Sequence, residues 1–400
     1  MNAKDLGRLA STFGPAWLVM IADVDVASIV TGLQDGASWG YRMVFVMLIL
    51  TVPLFFVQDA AGRLGTVSGM GLGRAVRNRY GARAATLAAL PMALTDFMTY
   101  VVEFAGIALG ARLLGLPPAP VLAASFALYL ILVGTGRYRV AEAVLLPVSM
   151  VLVVAIVASL ASFPIDARAL LWEGLNPIQP YLDPGYGFLL AASIGAVIMP
   201  WMLFFHSGAD AKKGLGRGDL SAERLETLIG AAVSEALMAI TVIDGHGLRA
   251  LYGGSGLQIT LSEIASLVRP LGPGSSLVVG VGFMAAGFLA LAVASMGSGW
   301  GFLDAVGSDS GALALSYYAV MGLAAVVVSS ISADLVGLML DLMAAYSLVI
   351  LPSLYFLGRL ISDPEVMGGH CFRRWEVATY WAMAALVFGG GLTGILLSIL

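Results

Sequence analysis

The chain has 400 residues, 59% of them hydrophobic and only 12% charged, with a mean hydropathy of +0.92, which places it outside the range of soluble globular domains. A formal net charge of −4, sorted between two aqueous faces, gives no reason to expect nucleic acid as a partner. The one cysteine, Cys371, allows no internal disulfide and lacks the spacing of a zinc site.

These bounds describe an all-α polytopic membrane protein whose partner is the lipid bilayer. The opening stretch Met1–Ser11 is largely polar, and the apolar run after it is long enough to span, so no cleavable signal peptide is expected. A bilayer-crossing helix needs about 20 apolar residues. Eleven candidate spans follow in order, near 14–34, 42–61, 88–113, 117–134, 139–162, 186–206, 225–247, 276–302, 311–331, 335–358 and 376–399. The stretch 1–400 therefore reads as one transmembrane domain. Basic residues cluster in alternate connections, at Arg74 to Arg83, Arg137 to Arg139, Lys212 to Arg224 and Arg359 to Arg374, together with Lys4, Arg8 and Arg63. Fewer fall on the other side (Arg42, Arg112, Arg168, Arg249 and Arg269), so the N-terminus is expected in the cytoplasm of a multi-pass cell-membrane protein. Gly134-Thr135-Gly136-Arg137 reads as a tight hairpin between the fourth and fifth spans.

Two spans carry interruptions. In the first, Asp23 and Asp25 sit amid apolar residues, each costing about 2.5–3.5 kcal/mol at the centre of a membrane helix. With no basic residue near them in sequence, the pair points to a cation. In the sixth, Pro200 lacks a backbone N–H, so the Ala196 carbonyl four residues earlier loses its helical bond. At membrane depth such a carbonyl persists only facing a cavity, a water or an ion, and Met199 lies on much the same side. The interruptions are expected around Asp25–Ser28 and Met199–Pro200, five spans apart. An odd spacing inverts the second set relative to the first. This predicts an inverted repeat of five plus five helices, about 14–162 and 186–358, with an extra helix about 376–399 and the site at the broken first and sixth helices. Glu103, in an apolar span, and His206, near a helix end, leave a proton path open.

Several ordered stretches resemble the Nramp divalent-metal transporters. Gly14-Pro15-Ala16-Trp17-Leu18 through Asp25, then Thr31-Gly32-Leu33-Gln34-Asp35-Gly36-Ala37-Ser38-Trp39-Gly40-Tyr41, resembles their first span, and Gly195-Ala196-Val197-Ile198-Met199-Pro200 with Leu203 and His206-Ser207 resembles their sixth. Gly62-Arg63-Leu64-Gly65-Thr66-Val67-Ser68-Gly69 and Gly282-Phe283-Met284-Ala285-Ala286-Gly287 are similar to the second and eighth. The resemblance implies a LeuT-like fold and metal ligands at the Asp25 carboxylate, the Ala22 and Ala196 carbonyls, the Met199 sulfur and Ser28.

The sequence departs from the family at three places. Asp25-Val26-Ala27-Ser28 stands where the family has Asp-Pro-Gly-Asn, so the proline that would free the Ala22 carbonyl is missing and a shorter serine replaces an amide. Trp201 stands for the histidine after Met-Pro, and Tyr100 for an aspartate of the proton route; neither titrates near neutral pH. Asp23 replaces a residue that is usually uncharged in the family. These departures resemble the Nramp-related magnesium transporters. They imply alternating-access transport of magnesium and also manganese, without proton coupling, by a chain with no resident cofactor and expected to be a monomer. A roomier, more anionic pocket suits a partly hydrated magnesium ion, whereas Met199 favours softer metals. A proton-coupled manganese or iron transporter is the alternative, and a cation channel a further one. Three scattered histidines, His206, His246 and His370, and no nucleophile motif give no support for an enzyme.

Overall fold

A computed structural model describes residues 12–252, 259–331 and 335–399; Met1–Ser11, with Lys4 and Arg8, lie outside the described residues. Among these, all regular structure is helical, as expected where long apolar stretches must satisfy their own backbone hydrogen bonds. The membrane helices are α1 (Pro15–Ala22), α2 (Val26–Trp39), α3 (Arg42–Ser68), α4 (Ala82–Leu113), α5 (Pro118–Gly134), α6 (Tyr138–Ser159) and α7 (Pro184–Val197). They continue as α8 (Pro200–Lys213), α9 (Leu220–Tyr252), α10 (Pro273–Val306), α11 (Gly311–Ile331), α12 (Val336–Val349), α13 (Leu351–Leu360) and α14 (Arg374–Ile399). Short helices at Leu72–Tyr80 and Ala167–Gly174 lie in connections.

Nine helical segments among the described residues are long and apolar enough to cross a bilayer, and the pair α1 and α2, bent by 49°, makes a tenth. The 17-residue α5 is also apolar. Each candidate span of the sequence coincides with one of these elements, several of them longer at both ends than the apolar run alone. The turn 135–137 joins α5 to α6, where the glycine hairpin was expected.

The first interruption lies slightly earlier than expected, at Asp23–Asp25, because α2 already begins at Val26. The second falls at Ile198–Met199 and bends the chain less, so that α7 and α8 count as one span. Both breaks sit in the most buried part of the bundle. Residues 16–35 are inaccessible or nearly so, as are 194–210. Close approach of backbones makes this possible. A Cβ on Gly36 would overlap the Val242 carbonyl, and one on Gly245 the Leu33 carbonyl, so α2 and α9 cross with no side chain between them. Gly195 likewise lets α7 lie against the Met343 carbonyl of α12.

Candidate metal-ion site

Asp25 is the N-cap of α2. Its Oδ1 accepts from the Ser28 N–H at 2.7 Å, which satisfies one of the free amides of the first turn. The other oxygen, Oδ2, is buried and has no hydrogen-bond partner. One turn along, Ser28 Oγ reaches across to the α7 break and donates to the Ala196 carbonyl at 3.2 Å. That carbonyl is free because Pro200, the first residue of α8, has no N–H to offer it. Three of the expected ligand groups, the carboxylate of Asp25, the hydroxyl of Ser28 and the carbonyl of Ala196, are therefore linked through one residue, Ser28.

The Ala22 carbonyl is also released, without a proline. In an unbroken helix its donor would be the Val26 N–H; that N–H donates instead to Glu103 Oε2 at 3.3 Å. Glu103 comes from α4, fully buried, and its Oε1 has no partner. Met199 is the N-cap of α8, and its sulfur accepts from the Trp201 indole N–H at 3.3 Å, while its own N–H lies 3.3 Å from the Met202 sulfur. The residue that stands for the family's histidine thus holds the thioether in place. The positive ends of the α2 and α8 dipoles and the carbonyl ends of α1 and α7 meet at one level, the arrangement in which discontinuous helices hold ions.

Asp23 lies within electrostatic reach of both Asp25 and Glu235. Its Oδ2 accepts weakly from Ser234 Oγ at 3.5 Å and its Oδ1 has no partner. Glu235, on α9, is fully buried with both carboxylate oxygens unpartnered. Sequence reading passed over it, although a carboxylate inside the seventh apolar run was a visible signal.

Two of the sequence candidates are placed elsewhere. Tyr100 hydrogen-bonds Ser298 of α10, which also accepts from Tyr317 at 3.2 Å, and one turn away Asp96 accepts from Tyr346 at 3.0 Å. His206 faces α3 and α9: its Nδ1 is 3.0 Å from Gln58 Oε1 and its Nε2 3.2 Å from Glu223 Oε1. Neither makes a hydrogen bond to the Asp25 group.

A cavity of about 410 Å³ opens at the end of the bundle that carries the basic connections, lined by Gly69, Arg74, Arg137, Lys212 and Trp300 and reaching Phe204 and Met296. Phe204 is five residues beyond Met199, roughly 7 Å of helix rise. The ion-site residues themselves are fully enclosed.

Residues 16–397 match the family model described as natural resistance-associated macrophage protein-like, that is, Nramp. The chain belongs to the Nramp family. Among curated Nramp relatives, the divalent metal cation transporter MntH of Bacillus subtilis (strain 168) is 25% identical over 295 residues, covering 71% of this chain and 68% of that protein. That of Xylella fastidiosa (strain Temecula1) is 30% identical over 206 residues, 50% of this chain and 43% of its own. Among solved structures, the Eremococcus coleocola manganese transporter in complex with an aromatic bis-isothiourea substituted compound superposes with a TM-score of 0.78 at 18% identity, over 98% of this chain and 87% of that one. MhsT in complex with L-phenylalanine gives 0.62 at 13% identity, over 96% and 98%. These likenesses establish the expected all-α, LeuT-like membrane fold for this Nramp chain.

Proposed function

We propose that this protein carries divalent metal ions across the cell membrane by alternating access, its N-terminus cytoplasmic and its two five-helix halves, about 14–162 and 186–358, moving about the broken helices. The observation that carries this reading is the buried, unpartnered Asp25 Oδ2 beside two carbonyls released at facing helix breaks. A divalent cation supplies the charge and the coordination that such a set leaves unsatisfied. Asp25, Ser28, Ala196, Ala22 and Met199 would hold the ion, and Asp23 and Glu235 would add negative potential behind it. The curated relatives named as divalent metal cation transporters and the manganese transporter structure support the same assignment. The ion site is enclosed, and about one and a half turns of α8 separate Met199 from Phe204 at the cavity on the basic side.

Within this reading the ions are magnesium and manganese, and uptake is not coupled to protons. Ser28 is short enough to leave water on the ion, and Met199, held by the Trp201 indole, can pack beside a hydrated ion without ligating it. Two residues standing in for proton-route groups, Trp201 and Tyr100, are fixed by hydrogen bonds. No proton gradient is needed for energetics, since a doubly charged ion gains roughly 4.6 kcal/mol from about 100 mV, more than about a thousandfold in accumulation. The second reading, a proton-coupled manganese transporter, is favoured by Met199 itself, a soft ligand, and by the free Oε1 of Glu103.

The test is uptake into proteoliposomes. Asp25→Ala is expected to abolish magnesium and manganese entry while the protein stays monodisperse; undiminished entry overturns the assignment. A pH dye in the lumen separates the two readings, because metal-driven acidification selects the proton-coupled one.

A further inference from the structure

A second group of metal-ligating side chains lies about seven residues beyond the α8 break, at His206, Asp210 and Glu223. His206 and Asp210 are one turn apart on α8, and Glu223 enters from the first turn of α9. One donor atom from each lies within 4.8 Å of the others, and all three side chains are 1% exposed or less. Nε2 of His206 is 3.2 Å from Glu223 Oε1 and 3.9 Å from Asp210 Oδ2.

We infer that this triad is a second divalent-cation site, one that takes a first-row transition ion such as Mn²⁺, distinct from the site at Asp25 and not dependent on it.

Four observations support it. The first is orientation: His206 Nδ1 is engaged by the Gln58 carboxamide at 3.0 Å, which leaves Nε2 as the atom turned toward the carboxylates. An imidazole held through its other nitrogen is the usual setting of a metal-ligating histidine. The second is lack of partners. Nε2 has no hydrogen-bond partner, nor do Asp210 Oδ1 and Glu223 Oε2, although all are buried. The remaining carboxylate oxygens are held by threonines, with Thr66 donating to Asp210 Oδ2 at 3.1 Å and Thr227 to Glu223 Oε1 at 2.8 Å. The third is space: a Cβ on Gly62 of α3 would overlap Glu223 Oε1 and lie 2.8 Å from His206 Nε2, so glycine at that position clears the pocket. The fourth is donor spacing. An ion that holds nitrogen and oxygen at about 2.0–2.2 Å sets its donors about 3.0–4.4 Å apart, and the two measured separations fall in that interval.

Nearby charge leaves a deficit for a cation to fill. Lys213 is within electrostatic reach of Asp210, but its ammonium binds Glu142 and the Phe13 carbonyl, each at 2.6 Å. Glu226 adds a further carboxylate whose one oxygen caps the start of α1 through the Gly14 and Trp17 amides. One nitrogen with two carboxylates suits a transition ion better than magnesium, which prefers an all-oxygen shell. The distance of the triad from Met199 along α8 is roughly 10 Å, far enough for two separate ions.

Mn²⁺ titrated into the purified full chain, with free ion counted by EPR, is expected to give two bound ions, one in Asp25→Asn and one in His206→Ala. Pulsed EPR of Mn²⁺ bound to Asp25→Asn should show coupling to an imidazole ¹⁴N nucleus. The Asp25 group contains no imidazole, so an imidazole ¹⁴N signal, distinct from that of the introduced amide or of the Trp201 indole beside Met199, reports the triad alone, on a protein whose triad is unaltered. Glu223→Gln should weaken the ¹⁴N-coupled site by at least about a hundredfold. A Mn²⁺-loaded parent with no ¹⁴N coupling, or coupling that survives His206→Ala, overturns the inference and leaves His206 as the counter-ion of Glu223. If Asp25→Asn still binds two ions and retains the ¹⁴N signal, the assignment of Asp25 fails and the triad stands.

Discussion

Asp25 performs two tasks with two different oxygens, and Asp25→Asn separates them. The carboxamide oxygen can still accept from the Ser28 N–H, now at 2.7 Å, because asparagine caps helices as well as aspartate. The oxygen without a partner becomes an NH₂ group and the charge disappears. Removing one member of a buried charge pair costs about 2–5 kcal/mol, which corresponds to about 30- to 4,000-fold in Kd. Stability of the ion-free protein should not fall, since an uncompensated buried charge is removed along with it. Asp25→Ala loses the charge and the cap together, so its stability should drop by about 0.5–2 kcal/mol. Isothermal titration with Mn²⁺ in a His206→Ala background, where the triad does not contribute, and thermal unfolding followed by tryptophan fluorescence measure both quantities. Two results refute the reasoning: Asp25→Asn binding within about threefold of the parent, or Asp25→Asn and Asp25→Ala losing equal stability.

Two other substitutions bear on selectivity and on packing. Ser28→Asn restores the amide that the family places here and should favour manganese over magnesium by about tenfold, or 1.4 kcal/mol, in competition titrations; an unchanged ratio removes Ser28 from the selectivity argument. Arg63→Ala strips the guanidinium that bridges Asp59 and Glu376 and lies over the Phe372 ring, leaving these buried carboxylates, among the described residues, only the partly exposed Arg224 as an ionic partner, 3.3 Å from Asp59 and 4.0 Å from Glu376. The cost should be about 3–5 kcal/mol of stability, read from the unfolding midpoint, with ion affinity in the surviving folded fraction unaltered.

The spans were legible because hydropathy is a local property, and each apolar run became one helix or two in succession. What the sequence hid were partners brought in from far along the chain. Glu223 and Glu226 precede the apolar run that starts at 225 or sit at its edge, where hydropathy marks no function; α9 begins at Leu220, and both are buried against His206 and the α1 amides. Arg63 counted as an ordinary cytoplasmic anchor, yet it is buried and paired with a glutamate 313 positions away. Asp25 and Ala196 stood out in the sequence because a broken helix leaves local marks, a carboxylate pair in one half and a proline in the other, whereas Ser28 came in only through the family resemblance. The Ala22 carbonyl likewise entered only through the resemblance, because its own local mark, a proline at 26, is absent.

That absence has a consequence for coupling. Without a proline, Val26 retains an N–H, and that N–H ties down Glu103. The same departure that removes one way of breaking the helix thereby supplies another, and it gives the buried glutamate a fixed structural partner. Val26→Pro tests the exchange. Proline is well tolerated at the first position of a helix, so α2 itself should form, but the Glu103 carboxylate loses a donor, at a cost of about 1.5–3 kcal/mol. Adding Glu103→Gln removes the charge that suffered, so the double variant should recover most of that loss, an interaction that a double-mutant cycle isolates. Purely additive effects would show that the Val26–Glu103 contact carries no energy. With the tether gone, Glu103 is also released to exchange protons, so Val26→Pro should show metal-driven acidification of the liposome lumen that the parent lacks and that Glu103→Gln abolishes. Acidification already present in the parent, and unchanged by Val26→Pro, would mean that the tether does not restrain Glu103 and that the chain is proton-coupled as it stands.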